Sequence, residues 1–214
     1  MTVAGTAPAP QPAPDPPPGG GRRREIAAVA ARLFYEQGYD AVGMRAVAAA
    51  VGIRVASLYH HFPSKSLLLD EIVTDVSTAF IETRLPALLD PGRPVAPRIR
   101  SLLVDHIGYF WEHRIERTVG VRDLQRLPPA RAEAVQEARR RYQRALGEVI
   151  AEGVADGSLR TADPFLAATA ALAVVNGVND WYKPGGLRSL EEVAHATVEL
   201  VVEGILGAAP AGSG

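Results

Sequence analysis

Within GMRAVAAAVGIRVASLYHHFPSKS, residues 43–66, two short apolar-rich runs are separated by one glycine, and this constrains the chain more than any other feature. The pattern predicts a short helix over 44–50, a tight turn at Val51-Gly52-Ile53 and a second helix over 54–61. Val47, Val51, Ile53 and Leu58 are the expected buried side chains. Ala48 is small where the two helices must approach each other. Gly52 stands where the turn requires positive φ, which a residue without Cβ adopts at little cost. Such a pair is a helix-turn-helix, whose second helix is shaped to enter a major groove with its N-terminal residues on base edges.

The charge distribution fits that expectation. The chain of 214 residues carries a net charge of −1, but residues 20–66 hold seven cations (Arg22, Arg23, Arg24, Arg32, Arg45, Arg54, Lys65) against three acids (Glu25, Glu36, Asp40). The segment is therefore +4 and the remainder −5. Only a docking face needs to offset phosphate charge, so a basic module on an acidic body is compatible with DNA binding; chance clustering is the alternative. With no cysteine, disulfides, thiolate metal sites and thiol nucleophiles are excluded. No apolar run reaches the ~18–20 residues that cross a bilayer, and no leader-like block opens the chain. A cytoplasmic location without membrane contact is expected.

Along the chain, residues 1–21 hold seven prolines with glycine and alanine, and are expected to form a disordered tail. Arg22-Arg23-Arg24 ends it, either as a basic arm toward DNA or as a solvated helix start. Ile26, Val29, Ala30, Leu33 and Phe34 form one helical stripe, stopped by Gly38. After Pro63, Ser64 is an N-cap for a helix from 65 to about 85, and 86–97 reads as a loop with helical fragments. A long helical region from 98 to about 127, with a break expected near Val119-Gly120, precedes a helix opened by Pro128-Pro129 and ended by Gly157. Asp163-Pro164 caps the next helix, which reaches Tyr182. Ser189-Leu190-Glu191-Glu192 matches a capping box for a last helix running to about 206. The fold class is all-α: a helix-turn-helix domain over 22–66, a helical body over 67–207, and a short flexible tail over 208–214.

The stretch LYHHFPSKSLLLDEIV, preceded by a helix ending in Phe34-Tyr35-x-x-Gly38-Tyr39-Asp40, closely resembles the N-terminal domain of the TetR family of bacterial transcriptional regulators. The resemblance spans residues 25–72, with the spacing of Gly52, Tyr59, Phe62 and Lys65 matching throughout. It implies a three-helix DNA-binding domain followed by a helical ligand-binding and dimerisation domain. It also implies that Arg54, Val55 and Ser57 face base edges, while Tyr59, His60 and Lys65 touch phosphates. Physically, a guanidinium can bond guanine O6 and N7 together, a valine can touch a thymine methyl and a serine can bond base or phosphate. Lys65 begins a helix, where backbone N–H groups favour an anion. Arg45, on the first helix of the pair, is a further phosphate candidate. Each of these could instead be a solvated side chain. Two departures stand out: Val42-Gly43 replace the family's usual Thr or Ser before the first helix, and Arg54 replaces the usual Ser opening the second. Both remove a capping oxygen worth roughly 0.5–2 kcal/mol.

No catalytic residue, metal or cofactor is expected. His60 and His61 are adjacent, hence about 100° apart on a helix, and cannot share a metal. His106, Glu112, His113 and Glu116 lack metal-ligand spacing. Pro184-Gly185-Gly186 is a turn rather than a phosphate loop. Leu166, Thr169, Ala170, Ala173 and Val174 give one late helix a small-residue face, and Val193, Thr197, Leu200, Val201 and Gly204 give the last an apolar stripe. Either could be intrachain core; by the resemblance, these two helices join two copies into a homodimer. The segment from Asn176 through Trp181 to Gly186 is similar to a subgroup of the family linked to acyl-CoA and other lipid catabolism. A small apolar or acyl-CoA-like ligand would then sit among the middle helices. His106, Tyr109, Phe110 and Trp111 are candidate liners, as are Arg122, Gln125, Tyr142 and Trp181. Arg139, Arg140, Arg141 and Arg144 either attract a phosphorylated ligand or form a solvated face. The resulting expectation is a ligand-released repressor on a pseudo-palindromic site in double-stranded DNA. The rival is a helical enzyme or carrier whose N-terminal hairpin does not read DNA.

Overall fold

The computed structural model describes residues 20–209. Most of the expected N-terminal tail (1–21) therefore lies outside the described residues, as do residues 210–214 of the expected C-terminal one; Gly20 and Gly21 belong to the first helix. Nine α-helices and no strand occur among the described residues. They are α1 (Gly20–Gln37), α2 (Met44–Val51), α3 (Val55–His61), α4 (Lys65–Leu88), α5 (Val95–Glu112), α6 (Arg114–Arg122), α7 (Pro129–Ala155), α8 (Pro164–Trp181) and α9 (Leu190–Glu199). A 3₁₀ turn (Leu124–Arg126) follows α6, and a π-helical segment (Leu200–Ile205) extends α9.

Local chemistry sets several helix ends. The side chains of Ser64, Asp163 and Ser189 accept hydrogen bonds from the first-turn amides of α4, α8 and α9, and Ser189 with Glu192 completes a capping box. Gly52 takes φ 74° at the end of α2, and its N–H returns to the Ala49 carbonyl. Two expected breaks move. α4 continues through Pro86 to Leu88, and α5 opens at Val95, so residues 86–97 are less loop than expected. Pro97 falls in the first turn of α5, where no intrahelical N–H is required. The long middle helix breaks at His113 rather than at Val119-Gly120. Gly120 is instead buried inside α6, where a Cβ would lie 3.5 Å from Val73 of α4; its smallness permits close helix packing.

Two apolar cores result. One gathers Ile26, Ala30 and Phe34 of α1 with Val47, Leu58 and Phe62, then Leu68, Leu69, Ile72 and Val73 from the first half of α4. Val119, Leu127 and Val135 close it from below, so α6 and the start of α7 are packed into the head. The other core lies among α4, α5, α7, α8 and α9, around Leu103, Ile107, Leu146, Ile150, Val175 and Val202. Arg98 is almost wholly enclosed there; it donates to the Leu88 carbonyl at 3.0 Å and pairs with Glu152, tying α4, α5 and α7 together. Head and body are joined by polar contacts as well. The Arg122 guanidinium donates to the Phe34 carbonyl at 2.6 Å and to Asp123 at 2.8 Å. Arg126 bridges Asp123 to Asp40, and Arg131 grips both carboxylate oxygens of Asp70 at 2.8 and 3.0 Å.

Candidate nucleic-acid interface and ligand cavity

The α2–α3 pair is oriented by what it buries. Val47, Ala48 and Leu58 are fully enclosed, and Val51 and Ile53 are half-buried at the turn. The opposite side of both helices therefore faces solvent. Arg45, Arg54 and His60 are exposed there, and Tyr59 is 46% exposed. Arg54 is the N-cap of α3 in extended conformation and makes no capping bond, so its guanidinium is not committed to its own helix. Ser57 is half-buried. Val55 is half-buried and packed against the head core, which leaves only part of its surface for a thymine methyl.

Lys65 is half-buried and engaged within its own chain. Its ammonium donates to the Tyr39 carbonyl and lies 4.0 Å from the centre of the Tyr39 ring. Burial pushes its pKa down, partly offset by Asp40. It thus ties the loop after α1 to the start of α4. The N-terminal turn of α4 still presents backbone amides, and one of them, Leu67 N–H, is taken by Ser64. Of the arginine run, Arg23 is likewise structural: it pairs with both Glu71 oxygens at 2.7 and 2.8 Å, donates to the His61 carbonyl and stacks 4.2 Å over Phe62. Arg22 pairs with Glu25 at 2.7 Å. These arginines begin α1.

In the body, a cavity of about 450 Å³ opens between α4, α5, α6, α7 and α8. Val76, Phe80, Phe110 and Leu172 form its apolar wall, and Tyr142 and His106 stand together within it. His106 is buried, with Nδ1 3.2 Å from the Tyr142 hydroxyl and Nε2 3.3 Å from Asn176 Oδ1. Because an amide oxygen only accepts, Nε2 carries the proton and Nδ1 accepts from Tyr142. Burial drives the imidazole pKa down to about 4, against a smaller opposing effect of the Asn176 bond, so the ring is neutral. Burial also raises the Tyr142 phenol well above its ordinary value.

Of the expected liners, His106, Phe110 and Tyr142 meet in this cavity. The other five lie elsewhere, because helix rotation turns them away. Tyr109 lines a smaller cavity of about 190 Å³ beside α1, where burial pushes its phenol up to about 12. Trp111 packs edge-on to Tyr182 at 4.9 Å, under Arg114. Trp181 is 58% exposed at the end of α8, and Gln125 is exposed. Arg122 is spent on α1. Sequence reasoning missed Arg117 and Asn176, and it did not single out Arg139 within its run; all three line the cavity. Helical periodicity alone carried no signal for Arg117 or Asn176.

The late helices divide by exposure. Leu166, Val174 and Leu200 stand at 64%, 41% and 74% exposed, whereas Val193 and Val201 belong to the internal core. Among the described residues no helix is long and apolar enough to cross a membrane.

Comparison with known proteins fits both regions. Residues 26–72 match the family model described as bacterial regulatory proteins, tetR family, and residues 92–205 match that of the tetracyclin repressor-like C-terminal domain. The HTH-type transcriptional repressor KstR2 of Mycolicibacterium smegmatis is 32% identical over 200 residues, covering 90% of this chain and 95% of the relative. The structure of the TetR family regulator PfmR from Thermus thermophilus superposes with a TM-score of 0.75 at 30% identity, over 83% of this chain and 97% of that one. AibR, crystallised with isovaleryl coenzyme A and operator DNA, superposes with a TM-score of 0.74 at 27% identity, over 84% and 97%.

Proposed function

This chain belongs to the TetR family of DNA-binding transcriptional regulators, and we propose that it is a ligand-released repressor that grips a pseudo-palindromic operator as a homodimer. The observation that carries this reading is the outward face of α2 and α3. Arg45, Arg54, Tyr59 and His60 stand in solvent there because Val47, Leu58 and Phe62 hold the opposite side in the core. Arg54 and Ser57, with the free part of Val55, read base edges. Arg45, Tyr59, His60 and the amides opening α4 take phosphates; Lys65 supports them by fixing the loop beneath. The head, residues 22–66 with the first half of α4, is the DNA-binding unit, and the remaining helices bind ligand and join the two copies. The site of action is the cytoplasm, and no catalysis is involved.

The exposed Leu166, Val174 and Leu200 favour pairing of α8 and α9 with a second copy, which would set two α3 helices on successive major-groove turns. Release follows from the position of α6. Glu116, Arg117, Gly120 and Val121 of this helix line the cavity, and its end holds α1 through Arg122. A ligand that fits the cavity better when α6 is displaced drags the C-terminal end of α1, and with it α2 and α3. By linkage, such a ligand lowers operator affinity as much as operator lowers ligand affinity. An acyl-CoA or similar lipid-like molecule is the favoured ligand class: the cavity is largely apolar, and a relative binds isovaleryl coenzyme A.

Selection of bound duplexes from a random pool by the purified full chain tests the reading. An enriched inverted repeat bound by two chains is the expected result. Absence of enrichment would overturn it in favour of a helical carrier or enzyme.

A further inference from the structure

We propose that Arg117 and Arg139 form an anion-receiving subsite in the cavity, so that its ligand is an amphipath with an apolar body and one carboxylate or phosphate group. This rests on the cavity being the ligand site. Arg117 on α6 and Arg139 on α7 both line it, and the Arg117 charge bears on Arg139. Two like charges facing a partly enclosed space are unfavourable unless something negative lies between them.

Arg139 differs from the rest of its run. Arg140 is exposed and held by Glu133 and by Glu137 at 2.8 Å, and Arg144 lies 3.9 Å from Glu137. Arg139 has no ion-pair or hydrogen-bond partner among the described residues, and, unlike the exposed and also unpaired Arg141, it is half-buried and lines the cavity. Burial and Arg117 both disfavour its charge, with no compensating acid. Arg117 has only a weak anchor: Asp180, itself 73% exposed, at 3.6 Å, and the Asn176 carbonyl at 3.5 Å. Glu116 also lines the space, but it borders the smaller cavity too and bridges to neither arginine. His106 is neutral, so two cations stand against one carboxylate. The opposite wall, Val76, Phe80, Phe110 and Leu172, accepts a hydrocarbon body. A planar guanidinium pair fits a two-oxygen anion.

Calorimetric titration of the full chain with decanoate, decanol and decanoyl-CoA tests this. Decanoate or decanoyl-CoA is expected to bind at least tenfold more tightly than decanol. Arg139→Gln should remove that preference, leave decanol unchanged and leave the melting temperature of the unliganded protein unlowered. Arg139→Lys should restore part of the preference. Loss confined to decanoate identifies a terminal carboxylate as the anion, and loss confined to decanoyl-CoA identifies a phosphate; both support the proposal. Equal binding of all three probes, with no effect of Arg139→Gln, would overturn the subsite while leaving an apolar ligand site intact. Failure of every probe to bind at millimolar concentration would overturn the subsite and the lipid-like ligand class together, without touching the DNA-binding reading.

Discussion

His106 is a base enclosed where it cannot take up a proton at neutral pH. Its folded pKa, about 4, lies below the ordinary 6.5, so the unfolded chain binds the extra proton first. Stability from this group is therefore fully present above pH 6.5 and is lost as pH falls toward 4, by about 3 kcal/mol at the limit. Urea unfolding of the wild type and of His106→Asn across that window should give converging curves, the variant being the flatter. At the reading face, Arg54→Ala is expected to relax preference at one or two base positions by ~1–3 kcal/mol, whereas Arg45→Ala should weaken all duplexes alike. Repeating the site selection with each variant checks this; uniform loss in both would remove the assigned division. Side-chain commitments of this kind are only partly legible in the sequence. The position of Lys65 at a helix start is readable, but its ammonium turns back to the Tyr39 carbonyl, a partner 26 residues away. Arg139 reads like its three neighbours, and only the rotation of α7 separates it from them.

Helix ends are the most readable level, because their causes are local. Gly38 and Gly157 adopt φ 86° and 79° where the stripes stop, and Ser64, Asp163 and Ser189 cap as their spacing implies. Breaks set by tertiary contact are not readable. Gly120 has the composition of a stop and is a contact point for Val73, while the break falls at His113. The same local features cannot say which aromatic faces the larger cavity, which Phe110 and Tyr142 line and Tyr109, Trp111 and Trp181 do not. Glycines inside helices give a test of packing at this scale. A Cβ on Gly153 would meet Leu159 at 2.7 Å and Val95 at 2.9 Å, whereas one on Gly108 would meet nothing within 4 Å. Gly153→Ala should therefore destabilise by about 1–3 kcal/mol through strain of α7 against Leu159 in the following loop and Val95 at the start of α5. Gly108→Ala, free of contacts in mid-helix, should stabilise by about 0.5–1 kcal/mol. Denaturant midpoints of the two variants should move in opposite directions.

At the scale of the molecule, the structure is a head and a body sharing α4 and α6. The head core reaches down to Val119 and Val135, so the two parts are mechanically continuous. By that continuity the proposed ligand in the cavity would be felt at α3, and it is invisible in a sequence that divides near residue 66. Copies are expected to join through the exposed side chains of α8 and α9, and Leu166→Arg with Leu200→Asp should shift sedimentation from dimer to monomer. The central claim, that α2 and α3 read duplex DNA, is tested most directly by titrating salt against affinity for the selected duplex and for a scrambled one. With Arg45 and Arg54 bringing two cations to the duplex from each of two heads, log K is expected to fall against log salt with a slope of about −3 to −4. The selected duplex should bind at least about 10³-fold more tightly than the scrambled one. A slope near zero, or equal affinity for both duplexes, would contradict the account.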